Sequence, residues 1–252
     1  MVAHSAGRGR LFIADLHLTD LDGKQVREFV EWLAGVELAS DLWILGDLFE
    51  YWLGPAHLES PGFAPVIAAL AKRSRGGGFT AVVPGNRDFL LDAAFEQATG
   101  VQLFAGGAGL STEAGDWLLL HGDELCTRDR GYQRLRKVLR SRFTRWLART
   151  MPGWCKRALA ERLRRASRSA VPRKDPSKIA MQADAAREAL QHAGATTLLC
   201  GHAHGFQHRE LDPGLDWWVL DAFGHGQHDV LRMAADGGLV WSYSGVGKPP
   251  VA

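Results

Sequence analysis

Asp15 and His17 stand two residues apart in "ADLH". On an extended chain such neighbours share a face, so a carboxylate and an imidazole point the same way, as in half of a metal site. One Asp-x-His is a weak signal, but four further clusters add to it: Gly46-Asp47, Gly85-Asn86-Arg87-Asp88, His121-Gly122-Asp123 and Gly201-His202-Ala203-His204. Asp and Asn often close a strand as turn formers. Histidine has no such preference, yet it closes three of these five segments. Together Asp15, His17, Asp47, Asn86, His121, His202 and His204 offer nitrogen and oxygen donors without a thiolate. Seven donors exceed what one ion with open positions needs, and they suit two divalent cations bridged by a carboxylate.

Each cluster closes a short apolar run: "RLFIADLH" (10–17), "LWILGD" (42–47), "FTAVVPGN" (79–86), "WLLLHGD" (117–123) and "TTLLCGH" (196–202). Continuous runs of this kind read as strands buried on both faces. Between the first two, "QVREFVEWLAGV" carries Val26, Phe29, Val30 and Leu33 at the spacing of an amphipathic helix. The order strand, helix, strand predicts an α/β fold, in which sites form at the carboxyl ends of the strands. Glycines before Asp47, Asn86 and His202 allow close approach of backbone and ligand. "WWVLDAF" and "LVWSYS" read as further strands closing a second sheet.

With 252 residues, 46% of them apolar, the chain can bury one substantial core, and one domain over 1–252 is expected. The formal net charge of +2 hides a separation. Residues 128–178 hold 18 Lys and Arg against Asp129, Glu161 and Asp175, a net of +15, which leaves −13 elsewhere. This segment reads as two amphipathic helices joined by "MPG" (151–153). Leu135, Val138, Leu139, Phe143, Trp146 and Leu147 form one apolar stripe; Cys155, Ala158, Leu159, Leu163 and Ala166 form the next. A helical cap over 128–178, inserted between the fourth and fifth runs, is therefore expected to face an anion. Nucleic acid is disfavoured, because the segment lacks the exposed aromatic platforms of single-strand binders. No apolar run is long enough for a bilayer span and no secretory segment opens the chain, so a cytoplasmic location is expected. Cys126, Cys155 and Cys200 have no metal or redox spacing and read as reduced structural thiols.

In this order, "DLH", "GDLFE", "GNRD", "HGD" and "GHAH" resemble the calcineurin-like metallophosphoesterases from about residue 11 to 204. "ILGDLFEYWLG", "GNRDFLL" and "HGDELCTRDRGYQ" are most similar to the branch that cleaves the pyrophosphate of UDP-2,3-diacylglucosamine in lipid A synthesis. The resemblance implies a two-sheet β-sandwich flanked by helices, and two manganese ions. Asp15, His17, Asp47 and His204 would hold the first ion, and Asp47, Asn86, His121 and His202 the second. A hydroxide bridging the ions would attack phosphorus in line. Asp47, Asn86, Arg87 and His121 would carry the catalysis. Arg87 can give a phosphate two parallel hydrogen bonds, its alternative being a salt bridge to Asp88. Asp88 and Asp123 would orient ligand imidazoles or act as turn residues. Asn86, Arg87, Asp129, Ser167, Lys174 and His202 map onto substrate contacts. The chain departs from the family at Val171 and in "DAFGHGQHD", where His225 and His228 read as surface or supporting residues. The implied partners are a lipid-linked sugar nucleotide and the anionic cytoplasmic face of the inner membrane, with no obligate protein partner. Another nucleotide substrate for the same chemistry, or a non-catalytic membrane-associated scaffold, are the alternatives.

Overall fold

Alternation along the first apolar run shows how the layers are built. Leu11 and Ile13 face one way into a helix-covered core, while Phe12 and Ala14 face the other way, into a core between two sheets. This computed structural model describes residues 2–3, 8–141, 143–144, 146–147, 175–224 and 226–244. In chain order the strands are β1 (Val2–Ala3), β2 (Arg10–Ile13), β3 (Asp41–Ile44), β4 (Thr80–Val82), β5 (Gln102–Leu103) and β6 (Ala108–Thr112). They continue with β7 (Gly115–Leu119), β8 (Thr197–Cys200), β9 (Gln207–Asp212), β10 (Leu215–Val219), β11 (His228–Met233) and β12 (Leu239–Ser244). The helices used below are α1 (Gly23–Ala34), α2 (Ala64–Arg75), α3 (Ala93–Thr99), α4 (Arg130–Leu139) and, after a single turn at Pro176–Ile179, α5 (Ala183–Ala193).

Two six-stranded sheets result, ordered β12-β11-β2-β3-β4-β5 and β1-β6-β7-β8-β10-β9. Their facing sides bury Phe12, Trp43, Ala81 and Val83 against Leu110, Trp117, Leu119 and Leu199. The Phe12 and Trp117 rings stack across this layer with centroids 5.9 Å apart. Val26, Phe29 and Leu33 of α1 join Leu70 of α2 and Phe95 of α3 on the outer side of the first sheet. Ala186 and Leu190 of α5 cover the second. Helix α1 starts where the sequence directs it: the Asp22 carboxylate accepts from the Lys24 and Gln25 amides at 3.0 and 3.2 Å, replacing partners that the first turn lacks.

Two expectations change. Of the later runs, "WWVLDAF" enters the second sheet as β10 beside β8, whereas "LVWSYS" becomes β12 at the edge of the first sheet, beside β11. The first three motif strands thus share one sheet, and β7 and β8 belong to its partner. The apolar stripe from Leu135 to Leu147 is also not carried by one helix. Helix α4 ends at Leu139, and the Ser141 hydroxyl accepts from the Thr144 amide at 3.2 Å, starting a new turn. Ser favours such a start over continuing a helix. Leu135, Val138, Phe143, Trp146 and Leu147 are exposed. Residues 148–174, with Ser167 and Lys174, lie outside the described residues, as does His225.

Candidate metal centre

Beyond the ends of β2 and β3 their hydrogen-bond ladder continues into the loops. Asp15 N donates to Gly46 O at 3.1 Å, His17 N to Asp47 O at 2.8 Å and Leu18 N to Leu48 O at 3.0 Å. Asp15, His17 and Asp47 are thereby fixed against one another. On the second sheet Gly201 N donates to His121 O at 2.9 Å, which does the same for the loops after β7 and β8. Bonds that tie the sheets together at this edge include His202 N to Asp15 Oδ2 at 2.6 Å and His121 Nδ1 to Leu45 O at 3.0 Å.

The loops bend sharply to do this. Among the described residues, the non-glycine positions with positive φ are Asp15, His17, Asp47, His202 and His204. All five are candidate ligands. Such backbone costs of order 1–3 kcal/mol per residue and persists only where the surroundings over-determine it. Space is equally tight. A Cβ on Gly85 would lie 2.1 Å from Asp47 Oδ1, and one on Gly201 would lie 2.4 Å from Asp15 Oδ2.

The donor atoms converge. His17 Nε2 and His204 Nε2 are 3.2 Å apart, and Asp15 Oδ1 lies 4.0 and 3.9 Å from them. Asp15 Oδ1 is buried without a hydrogen-bond partner. The two oxygens of Asp47 face different histidines, Oδ2 at 3.9 Å from His17 Nε2 and Oδ1 at 3.6 Å from His121 Nε2. Asn86 Oδ1 lies 2.9 Å from His121 Nε2. Two compact donor groups emerge, Asp15 with His17 and His204, and Asp15 with Asp47 and His121. His202 enters neither group; its ring packs edge-on against His121 at 5.0 Å. Asp15 and Asp47 both reach across the two halves, a part expected from the sequence of Asp47 alone.

Burial and mutual charge shift the titrating groups of the pocket strongly. Burial lifts the Asp15 carboxyl to about 7, with Asp47 adding to it and His121 opposing. Burial would lower His121, but Asp47, Asp15 and Asp123 together carry it up to about 9. Burial, then the charge of His121, pushes His202 down to about 4. Hard oxygen and borderline nitrogen donors crowded this closely suit a divalent ion, whose binding would displace the protons that Asp15 and His121 favour.

The neighbouring residues find mainly structural partners. Asp88 bonds no histidine among the described residues; its carboxylate accepts from Gly85 N at 2.7 Å and Phe49 N at 3.3 Å, bracing the loops that carry Asn86 and Asp47. Asp123 likewise bonds no imidazole among the described residues. It accepts from Tyr132 Oη at 2.6 Å and Arg136 Nε at 2.7 Å, with Arg140 Nη2 at 3.3 Å. Arg140 Nη2 donates to Gly85 O as well, at 3.0 Å. Arg136 and Arg140 thus anchor α4 rather than facing solvent anions. Arg87 forms no ion pair with Asp88 among the described residues; its backbone N donates to Asp47 Oδ1 at 2.9 Å. Asp129 caps α4 by accepting from Tyr132 N at 3.0 Å. His228 pairs with Glu28 at 2.8 Å, away from the donors. Cys126 and Cys200 are free and buried, and burial raises both thiols.

One participant escaped the sequence reading. Glu50 Oε2 lies 3.1 Å from His17 Nδ1, on the side of the ring away from the other donors. The only signal was its place in "GDLFE", three residues after Asp47.

Residues 10–206 match the family described as Calcineurin-like phosphoesterase. A protein of Pseudomonas fluorescens named UDP-2,3-diacylglucosamine hydrolase is 36% identical over 195 residues, covering 77% of this chain and 78% of its own. The protein of that name from Pseudomonas paraeruginosa is 35% identical over 234 residues, covering 86% of this chain and 97% of its own. Among solved structures, a dimetal phosphatase from Danio rerio shares the fold with a TM-score of 0.51 at 13% identity, covering 96% of this chain and 97% of its own.

Proposed function

This chain belongs to the calcineurin-like phosphoesterase family, and on that premise we propose that it hydrolyses the pyrophosphate of UDP-2,3-diacylglucosamine. One water is added across the P–O–P bridge, giving UMP and 2,3-diacylglucosamine 1-phosphate in lipid A synthesis. The observation that carries the chemistry is the convergence of imidazole, carboxylate and amide donors from both sheets around two buried carboxylates. The substrate rests on the relatives' names, at 35–36% identity over most of the chain.

Asp15, His17, Asp47 and His204 would hold one ion, and Asp47, Asn86, His121 and His202 the other, with manganese the expected metal. The orphaned Asp15 Oδ1 and the opposed Nε2 atoms of His17 and His204 fit such an ion. When bound, the pair supplies Lewis acidity that activates water and offsets phosphoryl charge. The protein's own contribution is placement. His121 donates Nδ1 to Leu45 O, leaving its Nε2 lone pair toward the donors. Arg87, free of Asp88, is available for two parallel hydrogen bonds to a phosphoryl group. Asp129 at the head of α4, Ser167, Lys174 and His202 are assigned to the sugar and its phosphate, and residues 128–178 to a cap over the site.

The cap also gives the protein its proposed location, peripheral on the cytoplasmic face of the inner membrane. Its net charge of +15 accompanies the exposed Val138, Phe143 and Trp146, a pairing suited to anionic headgroups. No helix among the described residues is long and apolar enough to cross a membrane. Purified protein with manganese should release UMP from the diacylated sugar nucleotide far faster than it cleaves simple nucleotide diesters. Equal or greater turnover of the simple diesters would overturn the substrate assignment.

A further inference from the structure

From the contact between His17 and Glu50 we infer that Glu50 is a positioning residue that makes the Asp15, His17, Asp47, His204 side of the centre the tighter cation site. The inference rests on the two-cation reading above, but not on the identity of the substrate.

Glu50 is held in place from the backbone outward. The ladder that joins His17 N to Asp47 O and Leu18 N to Leu48 O ends with Glu50 N donating to Leu18 O at 2.9 Å. Glu50 is thus hydrogen-bonded to the residue that follows His17. Its neighbours admit little movement: Phe49 and Trp52 are fully buried with rings 4.8 Å apart, and Tyr51 Oη donates to Asp20 Oδ1 at 2.8 Å. From this support Oε2 reaches His17 Nδ1 at 3.1 Å, and His17 Nε2 points the other way, toward His204, Asp15 and Asp47. A carboxylate 3.1 Å from Nδ1 favours the tautomer protonated there, which leaves the Nε2 lone pair for a cation.

The second histidine is supported differently. His121 Nδ1 meets a neutral carbonyl, Leu45 O, and its Nε2 lies beside the neutral amide of Asn86. A carboxylate behind an imidazole makes it a stronger donor than a carbonyl does. Asp15 and Asp47 face both sides of the centre, so the sides differ in what backs them: one has a carboxylate-backed histidine, the other a carbonyl-backed histidine and a neutral amide. Cations should load in that order.

The test titrates metal-stripped full-length protein with Mn2+ by calorimetry and follows bound ions by electron paramagnetic resonance. Wild type should bind two ions in two phases. Glu50→Ala should weaken the tight phase about 10- to 100-fold and leave the weak phase within a few-fold. Glu50→Gln, which keeps an acceptor but loses the charge, should fall between the two. Thermal melts of the metal-free variants separate positioning from folding, because a purely structural Glu50 would lower the melting temperature without moving the tight phase. That result, or a shift confined to the weak phase, overturns the inference while leaving the two-cation reading intact. Fewer than two ions on wild type overturns both.

Discussion

Gly85 is the position where one added carbon should do the most damage for the least chemistry. Its Cβ in Gly85→Ala would sit 2.1 Å from Asp47 Oδ1 and 2.5 Å from the Asp47 backbone nitrogen. Opening the first contact to an ordinary separation of about 3.5 Å requires a shift of about 1.4 Å. Gly85 cannot easily back away, because its N–H is held by Asp88 Oδ1 at 2.7 Å and its carbonyl by Arg140 Nη2 at 3.0 Å. Asp47 must therefore move, and with it both oxygens that face His17 and His121. Misplacing a reacting group by ~1 Å can cost about 100-fold in rate, roughly 2.7 kcal/mol of barrier. Overpacking of the loop should cost about 1–3 kcal/mol of stability. Steady-state release of UMP, manganese titration and urea unfolding read the three effects. Gly109→Ala is the control: nothing lies within 4 Å of the point where its new Cβ would stand, so stability should stay within about 0.5 kcal/mol of wild type. A Gly85→Ala protein with wild-type turnover and metal affinity would refute the claim that this contact fixes Asp47.

Other outcomes follow from different parts of the molecule. Asp123→Ala should destabilise the protein by about 1–3 kcal/mol in denaturant melts, because Arg136 and Arg140 lose their shared buried acceptor and keep only Glu124 and the Gly85 carbonyl. Loss of helical ellipticity from α4 should accompany it; an unchanged midpoint would sink the anchoring role. Burial raises the Asp229 carboxyl to about 6 against the hydrogen bonds from Asp221 N and Trp241 Nε1. The folded state then binds this proton more tightly than the unfolded one, so the contribution is complete below pH 3.8 and lost as pH rises through about 6. Relative to Asp229→Asn, wild type should lose about 3 kcal/mol across that window, and parallel pH profiles for the two proteins would rule this out. Loading the centre near neutral pH should release protons, since His121, carried up to about 9 by its carboxylate neighbours after burial is offset, must give its proton up. Calorimetry in buffers of different ionisation enthalpy would detect the release; a buffer-independent heat would contradict it.

The strand ends were legible because buried strands write themselves as unbroken apolar runs, and the polar residues that close them then stand out. "LWILGD" became β3 with Asp47 just beyond it, and "TTLLCGH" became β8 with His202. What stayed hidden lacks that contrast. β9, "QHRELD", is almost wholly polar and exposed, and its identity comes from pairing with the tryptophans of β10. β5 has two residues, and its register exists only through β4. Apolar spacing continues from Leu135 to Leu147 through the break at Arg140 and Ser141, so periodicity alone could not reveal a stop that hydrogen bonds to Asp123 and Gly85 impose. Glu50 was invisible for a related reason: its meaning lies in a contact with His17, 33 positions away, that only the parallel ladder between β2 and β3 creates.

Donors from β2, β3 and β4 stand on one sheet, and those from β7 and β8 on the other. Their spacing is therefore measured across the interior, through stacked pairs such as Phe12 and Trp117. The thickness of the core acts as a ruler for the chemistry. A substitution deep between the sheets, touching no donor, can slide one half of the centre against the other and detune it, so the packing of this sandwich is part of its catalytic specification.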